Sequence, residues 1–177
     1  MQSSRRFDSI TAVLLAGALA ACGSNERFAT PGSVQPPNVT AAGGGAFTAR
    51  HDGYVPVSSR CTAHRNGRFE FSGDGFAKFF HKNWERGSMT DKRGGNDCSW
   101  SGTAMLSVEG HAGNSITVTL RLANGSKDPC AQSRTFMAFV VTSGTGRFAH
   151  ATGSGSITFE CLGSNGYHDD WSGTITF

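Results

Sequence analysis

From Ala46 to the C-terminal Phe177 the chain alternates between apolar and polar positions with a period of two. Ile116, Val118, Leu120 and Leu122 share one parity, and Ser115, Thr117, Thr119 and Arg121 share the other. Ile157, Phe159 and Cys161 alternate in the same way with Ser156, Thr158 and Glu160. Trp171, Gly173, Ile175 and Phe177 alternate with Ser172, Thr174 and Thr176, and Phe69 and Phe71 with Glu70 and Ser72. Successive side chains of a strand point to opposite faces, so this pattern predicts half-buried β-strands. Residues 136–141 are apolar at both parities, which predicts a strand covered on both faces. No stretch carries a convincing helical period. Turn residues at Gly87, Gly94-Gly95, Gly110 to Asn114, Asn124-Gly125 and Gly163 to Gly166 divide the region into about seven or eight strands. The expected fold is all-β: a single antiparallel β-barrel, or a barrel-like sandwich, over residues 46–177.

Composition sharpens this expectation. The chain holds 24 glycines and 13 phenylalanines. Gly73, Gly75 and Gly155 fall inside strand patterns, where glycine marks bulges or the strong coiling that a closed barrel needs. Trp100-Ser101-Gly102-Thr103 is echoed by Trp171-Ser172-Gly173-Thr174. In both, the tryptophan is expected in the core and the glycine where the strand bends.

The segment from Ser143 to Gly155 reads as a wide β-hairpin. Its Gly144-x-Gly146 follows a strand, but another strand comes next, so the helix N-terminus of a phosphate-binding loop is missing. Phe148 and Ala151 should tuck inward, with the glycines taking positive φ. Gly144, Thr145, Gly146, Phe148, Ala151 and Gly153 resemble the glycine hairpin of dirigent proteins and allene-oxide-cyclase-like barrels. Ser143 stands where dirigent proteins usually carry another glycine. The resemblance spans about a dozen residues and implies an antiparallel barrel with an apolar cavity. None of that family's catalytic acids or arginines can be placed on this sequence, so no catalytic residue follows from it.

The N-terminal segment has a different character. Arg5 and Arg6 precede an apolar run from Ile10 to Ala20 that ends in Leu19-Ala20-Ala21-Cys22. The run is too short for a membrane-spanning helix, which needs about 20 apolar residues. It resembles the signal segment and lipobox of bacterial lipoproteins. That resemblance implies removal of residues 1–21 and lipidation, including palmitate, at Cys22. Gly23 and Ser24 follow, with no aspartate, which by analogy with enterobacterial lipoproteins implies an outer-membrane address. Residues 22–45 then form the lipidated terminus and a Gly/Pro-rich tether. As a flexible coil the tether would span roughly 25–30 Å.

Five cysteines less the lipidated one leave Cys61, Cys98, Cys130 and Cys161. An even number in an exported domain reads as two disulfides, with three possible pairings. The glycine hairpin selects among them. Cys130 lies just before its first strand and Cys161 ends the second, so the two meet at its open end. Cys61–Cys98 follows by elimination.

Candidate chemistry is sparse. There is no Cys-x-x-Cys, no Gly-x-Ser-x-Gly and no His-Glu-x-x-His, and the six histidines are scattered. No metal site and no cofactor is therefore expected. His168-Asp169-Asp170 is the tightest polar cluster; it could hold a metal or supply general acid/base groups, but such a run more often is a solvated turn before a strand. Net charge is +3, falling to +2 once Arg5, Arg6 and Asp8 leave with the signal. Nine bases face five acids between Arg50 and Arg93. Within this stretch Lys78 to Arg86 mixes bases and aromatics. It reads as a strand with a polar outer face, with contact to anionic lipid, lipopolysaccharide or glycan as the functional counterpart. So modest a charge on an exported chain argues against nucleic acid as a partner.

The final alternating strand also resembles that of an integral outer-membrane barrel. Short strands and four cysteines argue against that architecture. The function expected is a membrane-anchored envelope lipoprotein, a non-enzymatic binding or structural module. The alternative is a dirigent-like barrel enzyme or carrier acting on an apolar small molecule.

Overall fold

The computed structural model describes residues 43–60, 65–91, 99–122, 129–130, 134–163 and 165–177. Cys22, the signal segment, almost all of the tether, Cys61, Cys98 and the turns at Gly94-Gly95 and Asn124-Gly125 lie outside them.

Eight strands run in chain order: β1 (Gly44–Ser59), β2 (Arg68–Ala77), β3 (His81–Asp91), β4 (Trp100–Val108), β5 (Ser115–Leu122), β6 (Thr135–Gly144), β7 (Thr152–Leu162) and β8 (Gly166–Thr176). Each pairs antiparallel with the next, and β1 pairs with β8 to close a barrel. Closure leaves no sheet edge unpaired, which settles barrel over sandwich. β1 starts earlier than the alternation indicated. Gly44 and Gly45 pair with Thr176 and Ile175, and Gly43 exchanges two backbone hydrogen bonds with Phe177. Glycines have no side-chain parity, so the hydrophobic pattern cannot reveal them as strand.

The interior is filled by rings. One group surrounds Phe47: Phe79, Phe80 and Phe139 lie 6.2–6.5 Å from it between centroids. A second group joins Phe69, Phe71, Phe159 and Tyr167 at 4.6–5.7 Å. Trp100 and Trp171 are both buried, as the echoed motif predicts. Gly87 is not a turn. It lies in mid-β3 beneath Phe71, and a Cβ there would sit 2.2 Å from the ring. The glycine reads as a break in the sequence because the ring that needs its space comes from another strand.

β6 also departs from expectation. Met137, Phe139 and Val141 face inward, but Phe136 and Val140 are 56% and 52% exposed. A barrel this narrow has only one interior, so an apolar run cannot be covered on both faces. Strand lengths of 8–16 residues bracket the about 9–11 of membrane strands, so length does not exclude an integral barrel. Wall polarity does. The outer face of β7 and β8 carries Thr152, Ser154, Ser156, Ser172, Thr174 and Thr176, all exposed, while the interior is mostly apolar. A lipid-facing barrel has the opposite arrangement.

The glycine hairpin forms as expected and closes one end of the barrel. Between β6 and β7 a single 3-10 turn spans Gly146–Phe148. Gly146 and Gly153 take positive φ, and Phe148 and Ala151 are buried. Phe148 stacks on Phe80 at 4.2 Å and meets Phe177 edge-on at 4.9 Å. At the other end of the hairpin Cys130 and Cys161 are joined in a disulfide, their Cα atoms 5.5 Å apart.

Candidate functional site

Among the described residues the interior holds one cluster of ionisable groups, and its parts come from three strands, β8, β1 and β3. His51 on β1, Glu85 on β3 and Asp169 on β8 all point inward, with side chains fully buried. Asn83 on β3 and Tyr167 on β8 complete the cluster, each about 1% exposed. Parity dictates this placement. His51 shares a face with Phe47, Ala49 and Val55, Glu85 with Met89, and Asp169 with Trp171 and Ile175.

Contacts that cross intervening strands require those strands to be thin. Gly75 on β2 lies between His51 and Asn83, paired with both. A Cβ there would fall 2.7 Å from His51 Cδ2 and 1.9 Å from the Arg50 carbonyl oxygen. Gly53 and Gly73 pair with each other between β8 and β3. Tyr167 lies across them, its ring 2.5 Å from the Cβ position of Gly53 and its hydroxyl 2.4 Å from that of Gly73. These glycines form a floor over which the β8 tyrosine reaches the β3 carboxyl group.

The hydrogen bonds fix the roles of the atoms. Asn83 Nδ2 donates to the carbonyl of His81 at 3.0 Å and is 3.5 Å from that of Gly75. Its Oδ1 therefore faces His51 Nε2, 2.8 Å away, and Nε2 carries the proton and donates. The other ring nitrogen, Nδ1, lies 3.0 Å from Asp169 Oδ1 and 3.3 Å from Glu85 Oε2. Tyr167 donates its hydroxyl proton to Glu85 Oε1 at 2.5 Å. Glu85 Oε2 and Asp169 Oδ2 complete no hydrogen bond of their own although both are buried.

Burial pushes the Glu85 carboxyl well above the usual carboxylate range, and the neighbouring Asp169 charge pushes it further. The Tyr167 hydrogen bond acts in the opposite sense. Tyr167 is itself raised far above the ordinary phenol value, first by burial and then by Glu85, so it remains a donor.

His168-Asp169-Asp170 is not a solvated turn. The three residues lie inside β8, which begins at Gly166, and the pleat divides them. Asp169 enters the core, while His168 and Asp170 stand on the outer wall. There Arg50 Nε donates to His168 Nε2 at 3.0 Å, and His168 Nδ1 donates to Asp52 Oδ1 at 2.9 Å. Arg50 also lies 3.4 Å from Asp170. His150, at the hairpin tip, is exposed.

The Lys78–Arg86 stretch begins as a turn and continues as β3. Lys82 and Arg86 lie on its outer face as expected, and Lys82 pairs with Glu109 at 2.8 Å. That expectation misses Asn83 and Glu85 on the inner parity of the same strand. Their in-phase spacing with Met89 was the available signal, as was the spacing of Asp169 with Trp171. No protein-family model matches the chain, and no curated protein matches it.

Proposed function

We propose that the chain is an exported lipoprotein of the bacterial envelope, lipidated at Cys22 and held at the outer membrane by its tether. In this reading its barrel is a non-enzymatic binding or structural module. The observation that carries the module reading is the packing of the interior. A dirigent-like enzyme, or a carrier of similar fold, needs a cavity that admits an apolar molecule. Here Phe47, Phe71, Phe139, Phe159 and Trp171 fill that space, and the converging ionisable groups are sealed behind them. The polar outer wall suits a barrel held at a membrane by an N-terminal lipid and presented to envelope components. The lipobox residues support the address. The Cys130–Cys161 bridge supports an oxidising compartment.

Fractionation of cells producing the wild type or Cys22→Ser tests the anchor. The variant is expected to leave the membrane fraction and to lose labelling by a palmitate analogue. Unchanged fractionation overturns the lipoprotein reading. Native mass spectrometry of the released Cys22→Ser protein tests the module. It is expected to show the bare chain mass, with or without reductant. A stoichiometric apolar molecule that leaves on unfolding would favour the enzyme or carrier, for which the convergence of His51, Glu85 and Asp169 is the structural argument.

A further inference from the structure

We propose that His51, Glu85 and Asp169 bind a divalent first-row metal ion, zinc foremost, at the centre of the barrel. The three residues offer ligand atoms that all lie within 4.8 Å of one another. His51 Nδ1 is 3.0 Å and 3.3 Å from the two carboxylate oxygens. Donors held at about 2.0–2.2 Å around one ion are separated by roughly 3.0–3.5 Å, so the two spacings from His51 already fit.

The remaining atoms of the three residues are tied in the manner of an outer shell. A ligating histidine usually donates its other N–H to a fixed oxygen, and ligating carboxylates are hydrogen-bonded in turn. Here Nε2 donates to Asn83, whose amide is anchored on a backbone carbonyl, and Glu85 Oε1 accepts from Tyr167. Nδ1 lies within 3.3 Å of both Asp169 Oδ1 and Glu85 Oε2. Glu85 Oε2 and Asp169 Oδ2 are buried without a hydrogen-bond partner.

Charge points the same way. Two buried carboxylates, when both are ionised, need about two positive charges to be stable away from water. A divalent ion supplies both and can engage both unpartnered oxygens. A single shared proton satisfies one of them. One imidazole and two carboxylates, with no thiolate, suit zinc or manganese better than softer ions. The site is closed by aromatic packing, so the ion would enter during folding and serve structure, not turnover.

The test uses the full chain purified in detergent without chelator, with its disulfides kept oxidised. Elemental analysis is expected to find about one equivalent of divalent metal per chain. The chain is then unfolded in urea with EDTA and refolded either in EDTA or in Zn²⁺ alone. At free Zn²⁺ a hundredfold above the dissociation constant, the unfolding equilibrium constant should fall about 100-fold. Refolding in Co²⁺ should give a visible ligand-field absorption. Asp169→Asn and Glu85→Gln keep the side-chain volume and should lose both the metal and the response to it. His168→Gln on the outer wall should keep both.

A folded wild-type barrel without stoichiometric metal, whose unfolding is the same in Zn²⁺ and EDTA, overturns the proposal and leaves a proton holding the cluster. Metal retained in full by a folded Asp169→Asn overturns it as well. If the core variants do not fold, the wild-type comparison decides alone.

Discussion

Removing the bridge between Cys130 and Cys161 should lower stability by an amount set by the loop it closes. The two residues are 31 apart in sequence. On the chain-entropy relation a loop of that size costs the denatured chain about 12 cal/mol/K, or about 3.7 kcal/mol at 25 °C. Unfolding entropy near 60 °C is about 2.1 cal/mol/K per residue, so a domain spanning residues 43–177 should gain about 0.28 kcal/mol/K on unfolding. The expected fall in Tm is therefore about 13 °C. The bridge sits at the open end of the β6–β7 hairpin, whose ladder from Thr135↔Phe159 to Val140↔Ser154 does not depend on it. The native barrel should accordingly survive in Cys130→Ala/Cys161→Ala. Thermal and urea melts followed by far-UV and near-UV circular dichroism, without reductant, compare the two proteins. The urea m-value should rise, because the unbridged chain exposes more surface when unfolded. A fall in Tm below about 3 °C with an unchanged m-value would refute the reasoning. It would mean that the denatured chain is already held compact across this loop.

Three further substitutions test the inward parity of the strands and the anchoring of the buried cluster. Phe139→Ala should cost about 3–5 kcal/mol, whereas Phe136→Ala, three positions earlier on the outer wall, should cost less than about 0.5 kcal/mol in urea unfolding. A cost above about 2 kcal/mol for Phe136→Ala would show that the outer face of β6 is covered after all. Tyr167→Phe keeps the ring stacked on Phe159 at 4.6 Å but removes the donor to Glu85 Oε1. It should destabilise by about 1–3 kcal/mol, and a neutral result would show that Glu85 finds another partner.

Period-two alternation was enough to place the domain in the all-β class. It also identified the parity of β5, β7 and β8, because a half-buried strand writes its two faces directly into the chain. The glycine hairpin and the Cys130–Cys161 bridge were legible for a related reason. Both depend on segments adjacent in sequence, joined by one turn. Where side chains carry no parity the reading failed: at Gly44 and Gly45, which are strand, and at Gly87, which is not a turn.

The candidate site was legible only in fragments. His51, Glu85 and Asp169 each sit in phase with apolar neighbours, and that phase could have marked them as inward. Nothing local says that they meet. Glu85 and Asp169 are 84 residues apart, and their approach depends on the order β8-β1-β2-β3 around the barrel. It depends equally on Gly53, Gly73 and Gly75, whose missing side chains let groups from non-adjacent strands touch.

By itself the sequence determined the strands, which face of most of them is apolar, the hairpin and the bridge it carries. Those features follow from backbone geometry repeated every two residues. Only the tertiary structure decided that the sheet closes, that β6 is exposed on its outer face and that three ionisable side chains share one buried space. Closure is a long-range property: β1 pairs with β8, and only when they meet does the inner face of every strand become one interior.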